Sequence, residues 1–206
     1  MEAAVTPISP PLESRRYRDF WCAWLSRLLL GIGTAFVSTY LPLYLVENLG
    51  RGALEVPKLV FQSMLLQSVL SVIVSLASGH LSDSLGRRKL FVLVGALIYA
   101  AGLWTIAGAA SYTLFLVGLA IAAIAHGMYF AVDLALVTDV LPDSERNAAK
   151  DLGILNIANA LPQVVAPLTG AAILALAQGN YPTMYAIAGV IALSSAVAIL
   201  PIKTAR

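Results

Sequence analysis

The 206-residue chain has a single cysteine and only two histidines. Cys22 alone cannot close an internal disulfide, and so few soft ligands leave no Cys- or His-rich metal spacing. Charge is equally scarce. Asp, Glu, Lys and Arg make up 12% of the residues, and the net charge of +2 is too small to suggest a nucleic-acid partner. The chain also lacks a phosphate-binding glycine loop, a nucleophile constellation and any nucleotide motif. These absences argue against an enzyme and against ATP-driven work by this chain, and no metal or cofactor is expected. What abounds is apolar surface: 59% hydrophobic residues and a mean hydropathy of +0.83. A soluble domain rarely carries so much, so the lipid bilayer is the expected surroundings.

About six apolar runs reach the roughly 20 residues that a helix needs to cross a bilayer. They fall near residues 20–46, 59–78, 90–110, 112–137, 152–177 and 182–202. No period-two alternation suggests a barrel, and backbone groups in lipid must bond internally, so each run predicts a helix. The third and fourth are parted only by a tight turn near Ser111. The fold class is therefore an all-α, polytopic membrane protein with six transmembrane helices.

Basic residues concentrate on every second connection, whereas at 47–58 Arg51 and Lys58 are balanced by Glu47 and Glu55. Arg15, Arg16 and Arg18 precede the first run, Arg87, Arg88 and Lys89 follow the second, Arg146 and Lys150 follow the fourth, and Lys203 and Arg206 follow the last. The positive-inside rule then predicts both termini in the cytoplasm, and the plasma membrane is the expected location. Residues 1–18, with Pro7, Pro10 and Pro11, read as a cytoplasmic lead or linker before a transmembrane domain at 19–206. They are not expected to be a secretory signal, because the run that follows is too long. Tyr17, Trp21 and Trp24 suit an interfacial aromatic anchor.

Gly79-His80-Leu81-Ser82-Asp83-Ser84-Leu85-Gly86-Arg87-Arg88-Lys89 reads as a short basic turn between two apolar runs. Its glycines, leucine, aspartate and basic pair resemble the G-x-L-x-D-x-x-G-R-[RK] loop motif of the major facilitator superfamily of secondary transporters. Ser84 departs from the pattern, standing where that family often has arginine. The stretch 149–167 is similar to the eleventh helix of bacterial members, so the chain resembles the C-terminal six-helix half of such a transporter. The resemblance implies alternating-access transport of a small solute, with a second half supplied by another copy or by a complementary six-helix chain. It also implies that Asp83, Arg87 and Arg88, framed by Gly79 and Gly86, form a cytoplasmic gate, with Asp139 or the start of the fifth span as partner. The alternative is that these charges only set topology. Other readings of the whole chain are a non-transporting or regulatory membrane protein, or a truncated transporter fragment.

Polar residues are unevenly spread among the runs. The third and sixth carry few, whereas the first, second, fourth and fifth carry Arg27, Gln62, Gln67, a serine series, His126, Asp133, Asn156, Asn159 and Gln163. Two runs can thus face lipid while four surround something wet, which agrees with the resembling family's peripheral third and sixth helices. His126, Tyr129, Phe130 and Asp133 follow i, i+3, i+4 and i+7 and share one helix face. An aspartate near the bilayer centre costs roughly 2.5–3.5 kcal/mol, so that face should meet protein or water. It reads either as a substrate or coupling-ion face, for proton or sodium, or as hydrated and packing groups. Asn156, Asn159 and Gln163 repeat the pattern on the fifth run, suiting either cavity lining or interhelical bonds. Arg27 can snorkel to the headgroups or pair with Asp133. Ser68, Ser71, Ser75, Ser78 and Ser82 form a small-residue seam fit for close helix packing. Pro162 and Pro167 predict a kink, and Asp151 a cap, in the fifth helix.

Overall fold

The computed structural model describes residues 10–140 and 148–202, with side chains placed for 17–133, 150 and 153–202. Six long helices follow in order: α1 (Pro10–Leu43), α2 (Val56–Leu85), α3 (Arg88–Ala107), α4 (Tyr112–Val140), α5 (Ala148–Leu176) and α6 (Tyr181–Ile199). A π-helical turn, Tyr44–Asn48, extends α1. All six contain stretches long and apolar enough to span a membrane. No strand occurs among the described residues, in keeping with the all-α expectation.

Local chemistry marks the ends. Pro57 sits in the first turn of α2, where its missing N–H costs nothing. Asn180 caps α6 by accepting a hydrogen bond from the Thr183 backbone N–H at 2.9 Å, with Pro182 beside it. Three boundaries differ from the sequence reading. The expected turn at 79–89 is largely helix: α2 continues to Leu85, and the reversal falls on Gly86, whose φ of +60° only glycine adopts readily. Leu81 and Leu85 let the apolar pattern run on past Gly79. The first helix already includes Pro10, because the proline-rich lead still supplies helix formers such as Leu12 and Glu13. Asp151 lies inside α5 rather than at its cap, since Ala148 is already helical.

The helices pack in two layers. Across the front they run α2, α4, α1, α5; behind lie α3 and α6, each touching the other, with α3 against α4 and α6 against α1. The pattern survives the exchange of α1–α3 with α4–α6, the mark of two three-helix repeats of opposite orientation. Close approach is bought with small residues. A Cβ on Gly102 of α3 would lie 2.7 Å from the Ala122 backbone nitrogen, and one on Gly127 of α4 would lie 2.5 Å from the Ser71 carbonyl of α2. The serine seam does act in packing: Ser71 Oγ donates to the Ala123 carbonyl at 3.1 Å, and Ser78 and Ser82 are buried, though Ser68 is exposed.

As expected, α3 and α6 turn apolar outer faces outward, among them Leu97, Trp104, Val190 and Val197. Their inner faces, however, are well buried. The barest helices are α2 and α5, with 6% and 22% of their most apolar windows buried. They are the two ends of the front layer, so each touches few neighbours.

Candidate functional site

Two helix faces built on one spacing meet at the middle of the front layer. On α1, Arg27, Leu30, Gly31 and Thr34 follow i, i+3, i+4 and i+7; on α4, His126, Tyr129, Phe130 and Asp133 do the same. Asn159 and Gln163 of α5 close the third side. Together these residues line a concavity of about 100 Å³. Gly31 makes the junction possible, because a Cβ there would stand 2.8 Å from Pro162 Cγ of α5. Trp24 Nε1 donates to the Ile154 carbonyl at 2.8 Å and Tyr40 Oη to the Pro167 carbonyl at 2.7 Å, fixing α5 along α1 above and below. Both prolines lie inside α5, which continues as a single helix through them.

The centre of the concavity is an ion pair. Arg27 Nε donates to Asp133 Oδ2 at 3.0 Å, with the side chains only 9% and 2% exposed. Of the two roles open to Arg27, the structure places it in the pair. Such a pair stays charged only when the mutual attraction offsets two desolvations, and in a low-dielectric interior losing one partner strands the other. Beneath it, Ser26 Oγ and Tyr129 Oη share a hydrogen bond at 3.3 Å, tying α1 to α4 a second time. Asp133 Oδ1 makes no hydrogen bond among the described residues.

Six residues expected in one cavity therefore converge: Arg27, His126, Tyr129, Asp133, Asn159 and Gln163. Asn156 does not line it: it is exposed one helical turn before Asn159, beyond the end of the concavity. Sequence reasoning passed over Thr34 and Leu30, although their period from Arg27 carries the same signal as the α4 series.

The basic segment stands apart from this site, at the end of α2 and the start of α3. Asp83 Oδ1 lies 3.5 Å from Arg88 Nη2, so its recorded ion-pair partner is Arg88, while Arg87 is exposed next to Gly86. Gly79 packs loosely, with space for a Cβ 3.8 Å from Ala131. Lys89 takes another role: its Nζ donates to the carbonyls of Leu200 and Ile202, both at 2.7 Å, neutralising the C-terminal end of α6. The side chains of Asp139 and Asp151 and the whole of Arg146 lie outside the described residues, so the expected gate partners are not seen. No cluster of three metal-ligating side chains occurs among the described residues.

Comparison with known proteins supplies the family. The sequence profile of the Major Facilitator Superfamily matches residues 23–206. Over 95 residues, 46% of this chain, the sequence is 35% identical to the multidrug resistance protein MdtL of Shewanella oneidensis, and that stretch spans 23% of the relative's length. A profile match over all six spans, on a helical bundle that packs as two three-helix repeats, leaves little choice of family: the chain is a multi-pass membrane protein of transporter type and belongs to the Major Facilitator Superfamily.

Proposed function

We propose that this chain forms one six-helix half of a secondary transporter, moving a small solute by alternating access through the concavity between α1, α4 and α5. The observation that carries the reading is the convergence of Arg27, His126, Tyr129, Asp133, Asn159 and Gln163 on one lined space. Each is expensive to place in a membrane, and together they form a single hydrogen-bonding surface. In this reading Asn159 and Gln163 orient the solute through their amides. The Arg27–Asp133 pair responds to its arrival or to a coupling ion, proton or sodium. The chain sits in the plasma membrane with both termini and the Gly86–Lys89 reversal on the cytoplasmic side. Asp83, Arg87 and Arg88 serve a gate there, and exposed ion pairs worth about 0–1 kcal/mol each suit a contact that must open. The bare faces of α2 and α5 meet a second six-helix half, from another copy or a complementary chain.

The relative's name makes drug-like compounds the first solutes to try, alongside sugars, whose hydroxyls the amides also suit. The test is uptake or efflux in membrane vesicles with Asp133→Asn. Transport should vanish in Asp133→Asn, and the double variant Arg27→Gln/Asp133→Asn, which strands no charge, should recover stability and membrane abundance without recovering transport. Transport retained by the double variant would remove the pair from the site.

A further inference from the structure

Two concavities open on the front layer, and they share a wall. One is the polar compartment between α1, α4 and α5. The other, of about 230 Å³, lies between α2 and α4, lined by Ser71, Val72, Ser75, Leu76 and Gly127. His126 and Phe130 border both spaces. One helical turn apart on α4, their rings stack with centroids 5.9 Å apart and planes at 24°.

The compartments on either side of this wall differ in chemistry. The first holds the Arg27–Asp133 pair and two side-chain amides. The second offers mainly carbon, since the Ser71 hydroxyl is already spent on the Ala123 carbonyl. Its floor is closed, because Gly127 brings the backbones of α2 and α4 into contact. Its walls are open: Val72 is 59% exposed, Leu76 73% and Phe130 61%. An isolated apolar groove would accept any lipid chain. This one shares two aromatic side chains with a polar pocket, so its occupant touches the residues that bound that pocket.

We propose that the stacked His126–Phe130 pair divides a two-part solute site, selecting molecules with a neutral hydrogen-bonding head and a flat apolar ring. The inference rests on the polar compartment being the solute site. The head exchanges hydrogen bonds with Asn159, Gln163 and the ion pair, while the ring lies against Phe130 and over Val72 and Leu76. Aromatic rings stack favourably when offset, so the exposed face of Phe130 is the natural rest for such a ring. The polar groups set orientation and the apolar side supplies contact area, the usual division in small-molecule sites.

Dansylamide is a suitable probe, having a sulfonamide head and a naphthalene ring that brightens on leaving water. Methanesulfonamide keeps the head alone. Binding is measured by fluorescence with the full chain in lipid nanodiscs, subtracting partition into empty nanodiscs. Saturable dansylamide binding is expected, displaced by excess methanesulfonamide. Ser75→Phe and Val72→Trp, two independent ways of filling the apolar side, should each weaken it about tenfold, the scale of one ring's lost burial. Gln163→Leu should weaken the binding of both compounds. Circular dichroism and monodisperse elution qualify each variant. If only Gln163→Leu weakens dansylamide, the two-part site is wrong and the polar site stands. If the filling variants weaken it but Gln163→Leu and methanesulfonamide have no effect, the groove takes lipid-like chains and the proposal is overturned. Absence of saturable binding also overturns it, leaving the polar site to the transport assay.

Discussion

Arg27 and Asp133 join α1 to α4 through one buried ion pair. Buried charges of opposite sign stabilise little net, but each makes the other indispensable. Arg27→Gln or Asp133→Asn alone should therefore cost about 3–5 kcal/mol, the penalty for one stranded or unmatched partner. The double variant should cost clearly less than the sum, because no charge is left behind. Thermal unfolding in nanodiscs measures all three. Additive losses would mean that the two side chains do not depend on each other. The pair was one of two options that the sequence left open for Arg27, since distance along a chain cannot say which helix will lie opposite.

Helix contacts in this protein depend on missing side chains. Where Gly127 meets Ser71, even a methyl group would collide with a backbone carbonyl 2.5 Å away. Gly127→Ala should then destabilise the chain by about 1–3 kcal/mol, as overpacking generally does. Gly79→Ala, with its nearest neighbour at 3.8 Å, should be nearly neutral by the same measurement. Gly86→Ala should cost about 1–2 kcal/mol, because a Cβ disfavours the left-handed backbone that ends α2. The gate role proposed for Asp83 has its own test at this level. In a Cys22→Ser background carrying Thr34→Cys in the concavity, Asp83→Ala should change how fast a membrane-impermeant thiol reagent labels from each side. Equal labelling with and without Asp83 would return the residue to a topological role. Motif residues were legible here as a pattern, but their secondary structure was not: the run of charge and glycine reads as a turn, and helix propensity at Leu81 and Leu85 carries α2 through most of it.

The molecule as a whole is lopsided. Its front layer ends in two helices, α2 and α5, whose apolar sides, including Ile73, Leu76, Val164 and Leu168, are exposed. In a membrane such faces are satisfied by lipid or by another protein, and we favour a second six-helix half. The mass of the complex extracted gently from its native membrane should exceed that of one chain. Val164→Arg and Ile73→Arg should return it to one chain without unfolding it. An unchanged mass in both variants would direct the contact elsewhere.

Six spans, their order, the basic reversal and the family could all be read from the linear chain, because hydropathy and motif spacing are properties of consecutive residues. The polar faces of α4 and α5 were legible for the same reason, helical period being local. Which faces meet is another matter. That Asn159 and Gln163 join Arg27 while Asn156 falls a turn outside depends on where α5 meets α1 along its length, and Gly31 and Pro162 set that meeting through contact. That α2 and α5, not α3 and α6, are left most bare depends on the layer order. Burial belongs to pairs of surfaces distant in sequence, so no single run of residues carries it.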